Sequence, residues 1–246
     1  MIDTAPRPDA SGRKTGTITA HIVHEIGRAI VTQYYSESIA FPVEAEIARQ
    51  YGASRSIVRE AVKMLAAKGL VRSRQRAGTA VQPESEWNLL DTDVLKWLLE
   101  RDFSIDLLIE FTDIRMAIEP RAASLAASYA SGAQRRDIMQ ATSRMFAAEK
   151  GEDDALEADI AFHTAVLNAS NNRFLRQFTD LSETTLRFSI RRTNAYAGVA
   201  RASASDHQRV AKAIVEGDPV TAGQLMNALI QGALDLLLAA GGHPAR

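Results

Sequence analysis

The chain has 246 residues, of which 46% are apolar, 24% charged and 6% aromatic, and its formal net charge is −1. This composition is typical of a folded globular protein and excludes a disordered chain. The absence of cysteine excludes disulfide scaffolds, thiolate nucleophiles and cysteine-based zinc or iron–sulfur sites.

Charge is unevenly distributed along the chain. Residues 1–83 carry 12 Lys and Arg against 7 Asp and Glu, whereas the other 163 residues carry 17 against 23. A basic N-terminal third on an acidic remainder predicts two domains, of which the first meets a polyanion. Neither a run of 18 apolar residues nor a signal peptide is visible, so we expect a cytoplasmic protein.

The first domain is predicted to span residues 17–83, after a polar, aperiodic arm over residues 1–16. Apolar residues recur at three to four positions from Thr17 to about Tyr35, which predicts an amphipathic helix. Phe41 and Pro42 then redirect the chain.

A helix pair and a hairpin are predicted next. Residues 43–51 form a short helix, Gly52 a left-handed turn, and Ser54 the N-cap of a helix that runs to Lys68. Two strand-like runs, LVRSR and TAVQ, flank residues 75–78 and predict a β-hairpin. Three helices followed by a hairpin is the element order of a winged helix-turn-helix.

The rest of the chain shows helical periodicity and almost no strand alternation, which predicts an all-α domain over residues 104–240. A linker with its own helix spans residues 84–103, and residues 241–246 form a tail. The predicted helices run over residues 91–101, 105–130, 134–150, 153–170, 173–195, 202–216 and 219–239.

Basic residues are placed where a winged helix-turn-helix reads DNA. The second helix of the pair presents its first turns to base edges in the major groove, and here they carry Ser54, Arg55, Ser56 and Arg59. The hairpin adds alternating arginines and a glycine that permits close approach: Arg72, Arg74, Arg76 and Gly78. Taken singly, each of the three hairpin arginines is also consistent with a solvent-exposed basic strand.

The segment FPVEAEIARQYGASRSIVREAVKMLAAKGLVRSRQRAGTAV resembles the DNA-binding domain of the GntR superfamily. The stretches FTDIRMAIEPRAASLAA, ADIAFHTAVLNASNN and DHQRVAKAIVEGD resemble the FCD effector domain of its FadR-type subfamily. The linker WNLLDTDVLKWLLERD is similar to that of regulators of galactonate and related sugar-acid catabolism. The resemblance implies a mainly α fold: a winged helix-turn-helix with a small hairpin wing, followed by an all-α bundle.

This resemblance also implies a mode of action. A homodimer would bind a palindromic DNA operator, and a small organic acid bound in the helical domain would change how the dimer holds that operator. By resemblance the DNA contacts are Ser54, Arg55, Ser56, Arg59 and Gly78. One departure is Ala45, where many FadR-type members carry an arginine, so the operator preference is expected to differ.

A candidate metal site comes from Asp159 and His163, which are spaced i, i+4 and so project from one helix face. With His207 from another helix they suit a divalent ion such as Zn, Ni or Mn, although an Asp and His pair is often a plain hydrogen bond. The resemblance aligns all three with metal ligands of the FCD domain. It places Leu229 at the usual fourth ligand, which implies weaker metal retention or direct use of the polar groups.

Arg115 is the candidate contact for the carboxylate of an acidic effector, because a guanidinium binds carboxylates in bidentate fashion. The alternative is an intrahelical pair with Glu119 at i+4. Asn168 is a further effector candidate, and the weaker ones are Arg187, Arg191 and Asn194.

We therefore predict a ligand-responsive DNA-binding regulator, a repressor of sugar-acid catabolism whose effector shifts the linker helix. A rival hypothesis is a metal-dependent enzyme acting on small organic acids through Asp159, His163 and His207. No HExxH arrangement, serine nucleophile motif or phosphate loop supports that enzyme. A structural dimerisation module is a third possibility, but it leaves Arg115 unexplained.

Overall fold

The computed structural model divides into two compact units, Met1–Phe103 and Ser104–Arg246. Both units are mainly helical, and the sheet in the described part of the chain is a two-stranded hairpin, as the predicted fold class requires. The predicted arm and the last four residues lie outside the described residues, which are 18–35, 39–74, 78–101, 104–193 and 203–242.

The first unit has the predicted element order. Its helices are α1 (Ile18–Val31), α2 (Glu44–Tyr51), α3 (Arg55–Ala67) and α4 (Thr92–Arg101), and its hairpin is β1 (Val71–Arg74) and β2 (Gly78–Val81). The turn between α2 and α3 forms as its sequence indicates. Gly52 ends α2 at φ 60°, a left-handed conformation that suits glycine, and Ser54 Oγ accepts a hydrogen bond from Ile57 N at 3.4 Å.

Helices α1 and α3 pack together through their apolar sides, which form the core of this unit. The spacing of three and four residues in both helices puts these side chains on one face. The buried residues are Ile22, Ile26 and Ile30 in α1 and Val58, Ala61, Val62 and Leu65 in α3. The opposite side of α3 is left to solvent.

Helix α4, predicted as a linker helix, packs on α1 within the first unit. Trp97 is 1% exposed and donates from Nε1 to His24 Nδ1 at 3.2 Å. Lys68, which caps the C-terminus of α3, donates from Nζ to Asp91 and Asp93 at 2.8 Å each, and Asp91 also caps the N-terminus of α4. Ion pairs of Lys68 therefore join the end of α3 to the start of α4.

Gly27 provides the gap that Trp97 fills. A Cβ at this position would lie 2.4 Å from two carbons of the buried indole ring. We therefore expect Gly27→Ala to destabilise the first unit by about 1–3 kcal/mol, despite the better helix propensity of alanine. Urea unfolding followed by tryptophan fluorescence measures this change, because Trp87 and Trp97 both lie in the first unit.

The matched control is Gly232→Ala, at a helical glycine with open space around its Cβ position. It should stabilise the second unit by up to about 1 kcal/mol, as seen by circular dichroism. Unchanged stability of the Gly27→Ala protein would contradict the close packing of α1 against α4.

The second unit consists of six α-helices in the described residues. They are α5 (Ile105–Tyr129), α6 (Gly132–Glu149), α7 (Ala155–Ala169), α8 (Thr179–Thr193), α9 (Ala204–Glu216) and α10 (Pro219–Gly241). The helix predicted over residues 173–195 is a 3-10 turn at Leu175–Phe178 followed by α8. Asp218 caps α10 with Pro219 as its first residue, as predicted.

Helices α5 and α10 form the longest packing seam of this unit, and α7 packs against α5, α6 and α8. Alanines at positions 122, 123, 126 and 127 let the backbones come close, and Phe162 of α7 is fully buried in the same core. Among the described helices α10 is long and apolar enough to cross a membrane. One third of its apolar window is buried, and Ala222, Met226 and Ile230 on that buried face pack in this core.

Candidate functional site

The start of α3 forms an exposed polar row. Ser54, Arg55, Ser56 and Arg59 are all exposed, and the Oγ atoms of Ser54 and Ser56 lie 2.8 Å apart. Arg59 Nε donates to Glu44 Oε2 on α2 at 3.1 Å. The predicted DNA-reading residues of the helix therefore share one accessible surface.

The hairpin carries the remaining predicted DNA contacts. Its strands pair from Val71 opposite Val81 to Arg74 opposite Gly78. Arg72 is exposed, and Gly78 is exposed at φ 80°. The side chain of Arg74 and all of Arg76 lie outside the described residues, so Arg72 and Gly78 are the wing candidates whose placement is known.

The candidate metal ligands Asp159, His163 and His207 come together inside the second unit. One ligand atom from each lies within 4.8 Å of the others, and all three residues are buried. His207 Nε2 lies 3.1 Å and His163 Nε2 3.9 Å from the same oxygen, Asp159 Oδ1. Two imidazoles from two helices thus converge on one carboxylate.

The other nitrogen of each ring fixes which tautomer is present. His163 Nδ1 lies 2.6 Å from Glu119 Oε2, and His207 Nδ1 lies 3.0 Å from the backbone oxygen of Ser203. Because an ionised carboxylate and a carbonyl only accept, both Nδ1 atoms carry hydrogen in a neutral ring. Each Nε2 lone pair then points towards the interior of the cluster.

His207 Nε2 is a buried polar atom without a hydrogen-bond partner among the described residues. It lies 3.1 Å from Asp159 Oδ1, but with the hydrogen of a neutral ring on Nδ1 both of these atoms are acceptors. Two acceptors at this distance need a cation between them, either a proton or a metal ion. A tethered Nδ1 together with an Nε2 that has no partner among the described residues, as in His207, is also the usual arrangement of a metal-binding histidine. The donor set fits a divalent metal of the Zn, Ni or Mn type.

Glu119, considered from the sequence only as an alternative partner for Arg115, is a central member of this cluster. It is 2% exposed and accepts from Arg115 Nε at 2.7 Å, from His163 and from Ser182 Oγ at 3.2 Å. Arg115 Nη2 in turn lies 3.2 Å from His163 Nε2. Arg115 therefore forms the intrahelical pair with Glu119 and also lies beside the metal candidates, while its contact with an effector stays a prediction.

The charges around Glu119 and Asp159 keep both of these carboxyl groups ionised. Burial by itself would raise the pKa of Glu119, but Arg115 and His163 hold that pKa well below its usual range. Burial likewise acts against ionisation of Asp159, yet His207, His163 and Arg115 together lower its pKa. The pKa of Arg115 is raised, because the attraction of Glu119 and Asp159 outweighs the effect of burial.

One nitrogen of the Arg115 guanidinium is left without a hydrogen bond within the described residues. Nε and Nη2 are engaged, whereas Nη1 makes no hydrogen bond within the described residues. Arg115 also lines a small, mostly apolar cleft with Glu119, Ser182 and Phe178, a cleft that the three metal candidates do not line. The guanidinium of Arg115 thus lies beside both this cleft and the cluster of metal candidates.

The remaining effector candidates are not brought to this cluster. Asn168 is exposed near the end of α7, on the side of the helix opposite Asp159. Arg187 pairs with Glu157 and Glu183. Leu229 is a half-buried core residue of α10. The side chain of Arg191 and all of Asn194 lie outside the described residues.

Two family models match the chain. The model described as bacterial regulatory proteins, gntR family, matches residues 18–81, and the FCD domain model matches residues 110–232. The first match contains α1 to β2 and the second contains all three metal candidates and Arg115.

Three relatives from Escherichia coli (strain K12) are similar over most of the chain. The galactonate operon transcriptional repressor is 36% identical over 161 residues, 65% of this chain and 70% of that protein. The uncharacterized HTH-type transcriptional regulator YieP is 33% identical over 65% of this chain and 70% of that protein. The "Putative L-lactate dehydrogenase operon regulatory protein" is 31% identical over 82% of this chain and 79% of that protein.

Proposed function

Because the chain belongs to the gntR family of bacterial regulatory proteins and carries an FCD domain, we propose that it is a homodimeric repressor of sugar-acid catabolism genes. The family consists of transcriptional regulators, which decides against the metal-dependent enzyme considered from the sequence. Its operator would be palindromic, its effector a small hydroxy acid, and its place of action the cytoplasm.

The observation that carries this proposal is the buried guanidinium of Arg115 beside the cluster of Asp159, His163 and His207. These three residues would hold a divalent ion, which, when bound, acts as a Lewis acid for a carboxylate and its neighbouring hydroxyl. Arg115, Glu119 and Asp159 sum to one negative charge, so a divalent ion leaves one positive charge. A monoanionic acid would neutralise it, and Arg115 Nη1 would orient its carboxylate.

The relatives support a 2-hydroxy acid as the effector class. One is named for galactonate and another for an L-lactate dehydrogenase operon, and galactonate and L-lactate both carry a hydroxyl next to the carboxylate. L-lactate is thus a second candidate effector beside galactonate. The three described ligands leave coordination positions that both atoms of such an acid would fill.

A titration tests this function. DNA selected by the protein from a random library is labelled, and its affinity is measured by fluorescence anisotropy at fixed salt. We expect galactonate to weaken binding in the presence of Zn²⁺. Release by its 2-keto-3-deoxy product alone would indicate a keto acid, which lacks the hydroxyl next to the carboxylate. Release by L-lactate alone would transfer the assignment to the lactate class, and indifference to all three acids would refute the hydroxy-acid effector.

Arg55 gives a direct prediction for the DNA surface. Arg55→Ala should weaken specific binding by about 1–3 kcal/mol, because a guanidinium is lost from the end of α3 that faces the bases. The control Lys63→Ala removes one positive charge from the same helix, where Lys63 pairs with Glu60 at 3.6 Å. If both variants lose equal affinity on selected and on shuffled DNA, Arg55 reads no base.

A further inference from the structure

The two arginines on the exposed side of α3 are held differently. Arg59 donates from Nε to Glu44 Oε2 at 3.1 Å, across the turn that joins α2 to α3. Arg55, one helical turn earlier on the same side, has no acidic partner within the described residues. Glu44 therefore acts on one of the two candidate base readers.

The atom that Glu44 binds decides which edge of the guanidinium is left. Within the described residues, neither Nη group of Arg59 has a partner. With Nε occupied, the edge formed by the two Nη groups remains, and this edge can donate two parallel hydrogen bonds to O6 and N7 of a guanine. The ion pair with Glu44 also excludes side-chain rotamers of Arg59 that would turn its guanidinium away from the DNA.

The pair is accessible to DNA. The side chain of Arg59 is 67% exposed and that of Glu44 is 38% exposed. A carboxylate at this surface repels phosphates, so it opposes complexes in which Arg59 merely contacts the DNA backbone. A guanine contact compensates for that repulsion, whereas random DNA does not.

We propose that Glu44 is a specificity-determining residue, which orients Arg59 for bidentate reading of a guanine and disfavours non-specific phosphate contact. This inference rests on the proposed role of Arg59 as a DNA contact. Its signature is the ratio of specific to non-specific affinity, which a merely structural role of Glu44 would not change.

The test uses the full chain with two duplexes of equal length, one selected by the wild-type protein from a random library and one shuffled. Glu44→Ala removes both the charge and the acceptor, and we expect the affinity ratio to fall about three- to tenfold. Glu44→Gln keeps an oxygen that accepts from Nε, so its ratio should fall less while binding to shuffled DNA tightens. If Glu44→Ala does not fold by circular dichroism, the glutamine variant carries the test.

The matched control is Glu60→Ala, which removes the same charge from an exposed position of α3 whose partner is Lys63. Its ratio should stay within about twofold of wild type. In an Arg59→Ala background, Glu44→Ala should change the ratio much less than in wild type, because only the repulsion of phosphates by the carboxylate is then lost.

Three results would contradict either the specificity role of Glu44 or the proposed DNA contact of Arg59. Equal ratios for Glu44→Ala and Glu60→Ala, beside a loss in Arg59→Ala, would refute the role of Glu44 alone. A full Glu44→Ala effect in the Arg59→Ala background would refute its action through Arg59. A wild-type ratio in Arg59→Ala, or no selected duplex at all, would refute the DNA contact itself.

Discussion

We expect the wild-type chain to bind about one divalent metal ion and the Asp159→Ala and His207→Ala variants to lose it. Asp159 supplies the charge on which both Nε2 atoms converge, and His207 Nε2 is the buried atom that lacks a hydrogen-bond partner in the described residues. Removal of either ligand should weaken Zn²⁺ or Ni²⁺ binding about a hundredfold or more. Metal content by mass spectrometry and competition with a chelating dye measure this loss.

The control for metal binding is His21→Ala, which removes a half-buried histidine of the first unit. It should leave metal content unchanged. Retention of metal by the Asp159→Ala protein, or absence of metal from wild type after incubation with Zn²⁺, Ni²⁺ and Mn²⁺, would show that the cluster holds a proton instead. The polar groups would then bind the effector directly.

The second large effect concerns Glu119. We expect Glu119→Gln to destabilise the second unit by about 3–5 kcal/mol, because it leaves the buried Arg115 guanidinium without its counter-charge. Chemical unfolding followed by circular dichroism measures the change. The control Glu183→Gln removes a half-exposed partner of Arg187 and should cost no more than about 1 kcal/mol.

The pH dependence gives this prediction a second measurement. The pKa of Glu119 in the folded protein lies below its ordinary value of 4.5, so its stabilising effect is complete above that pH. The stability difference between wild type and Glu119→Gln should therefore be constant at neutral pH and shrink as pH falls below about 4.5. A difference that is small at pH 7, or that grows on acidification, would contradict the buried ion pair.

Asp159, His207 and Glu119 belong to one network of contacts. The binding of the metal ion and the binding of the acidic effector are therefore expected to depend on each other. Glu119 binds Arg115, the candidate acid contact, and holds the Nδ1 hydrogen of the metal candidate His163. Glu119→Gln should for that reason also weaken metal binding, by about 10–100-fold.

The sequence determined the local features of this protein. Periodicity and capping residues located the helices to within a few residues, and Ser54 and Asp218 cap their helices as predicted. The i, i+4 spacing alone put Asp159 and His163 on one face, because helix geometry depends only on near neighbours. The helix predicted over residues 173–195 was wrong at its start, where a 3-10 turn precedes α8.

Only the tertiary structure decided which of these faces meet. Nothing in the spacing of Glu119 indicated that it would tie Arg115 to His163, or that the Nε2 of His207 would be left without a hydrogen-bond partner among the described residues. The same applies to α4, which packs its Trp97 beside Gly27, and to Glu44, which binds Arg59 fifteen residues away. A helical period is set within one turn of chain, whereas contacts between helices depend on how whole side-chain surfaces fit, and that information is distributed over the entire fold.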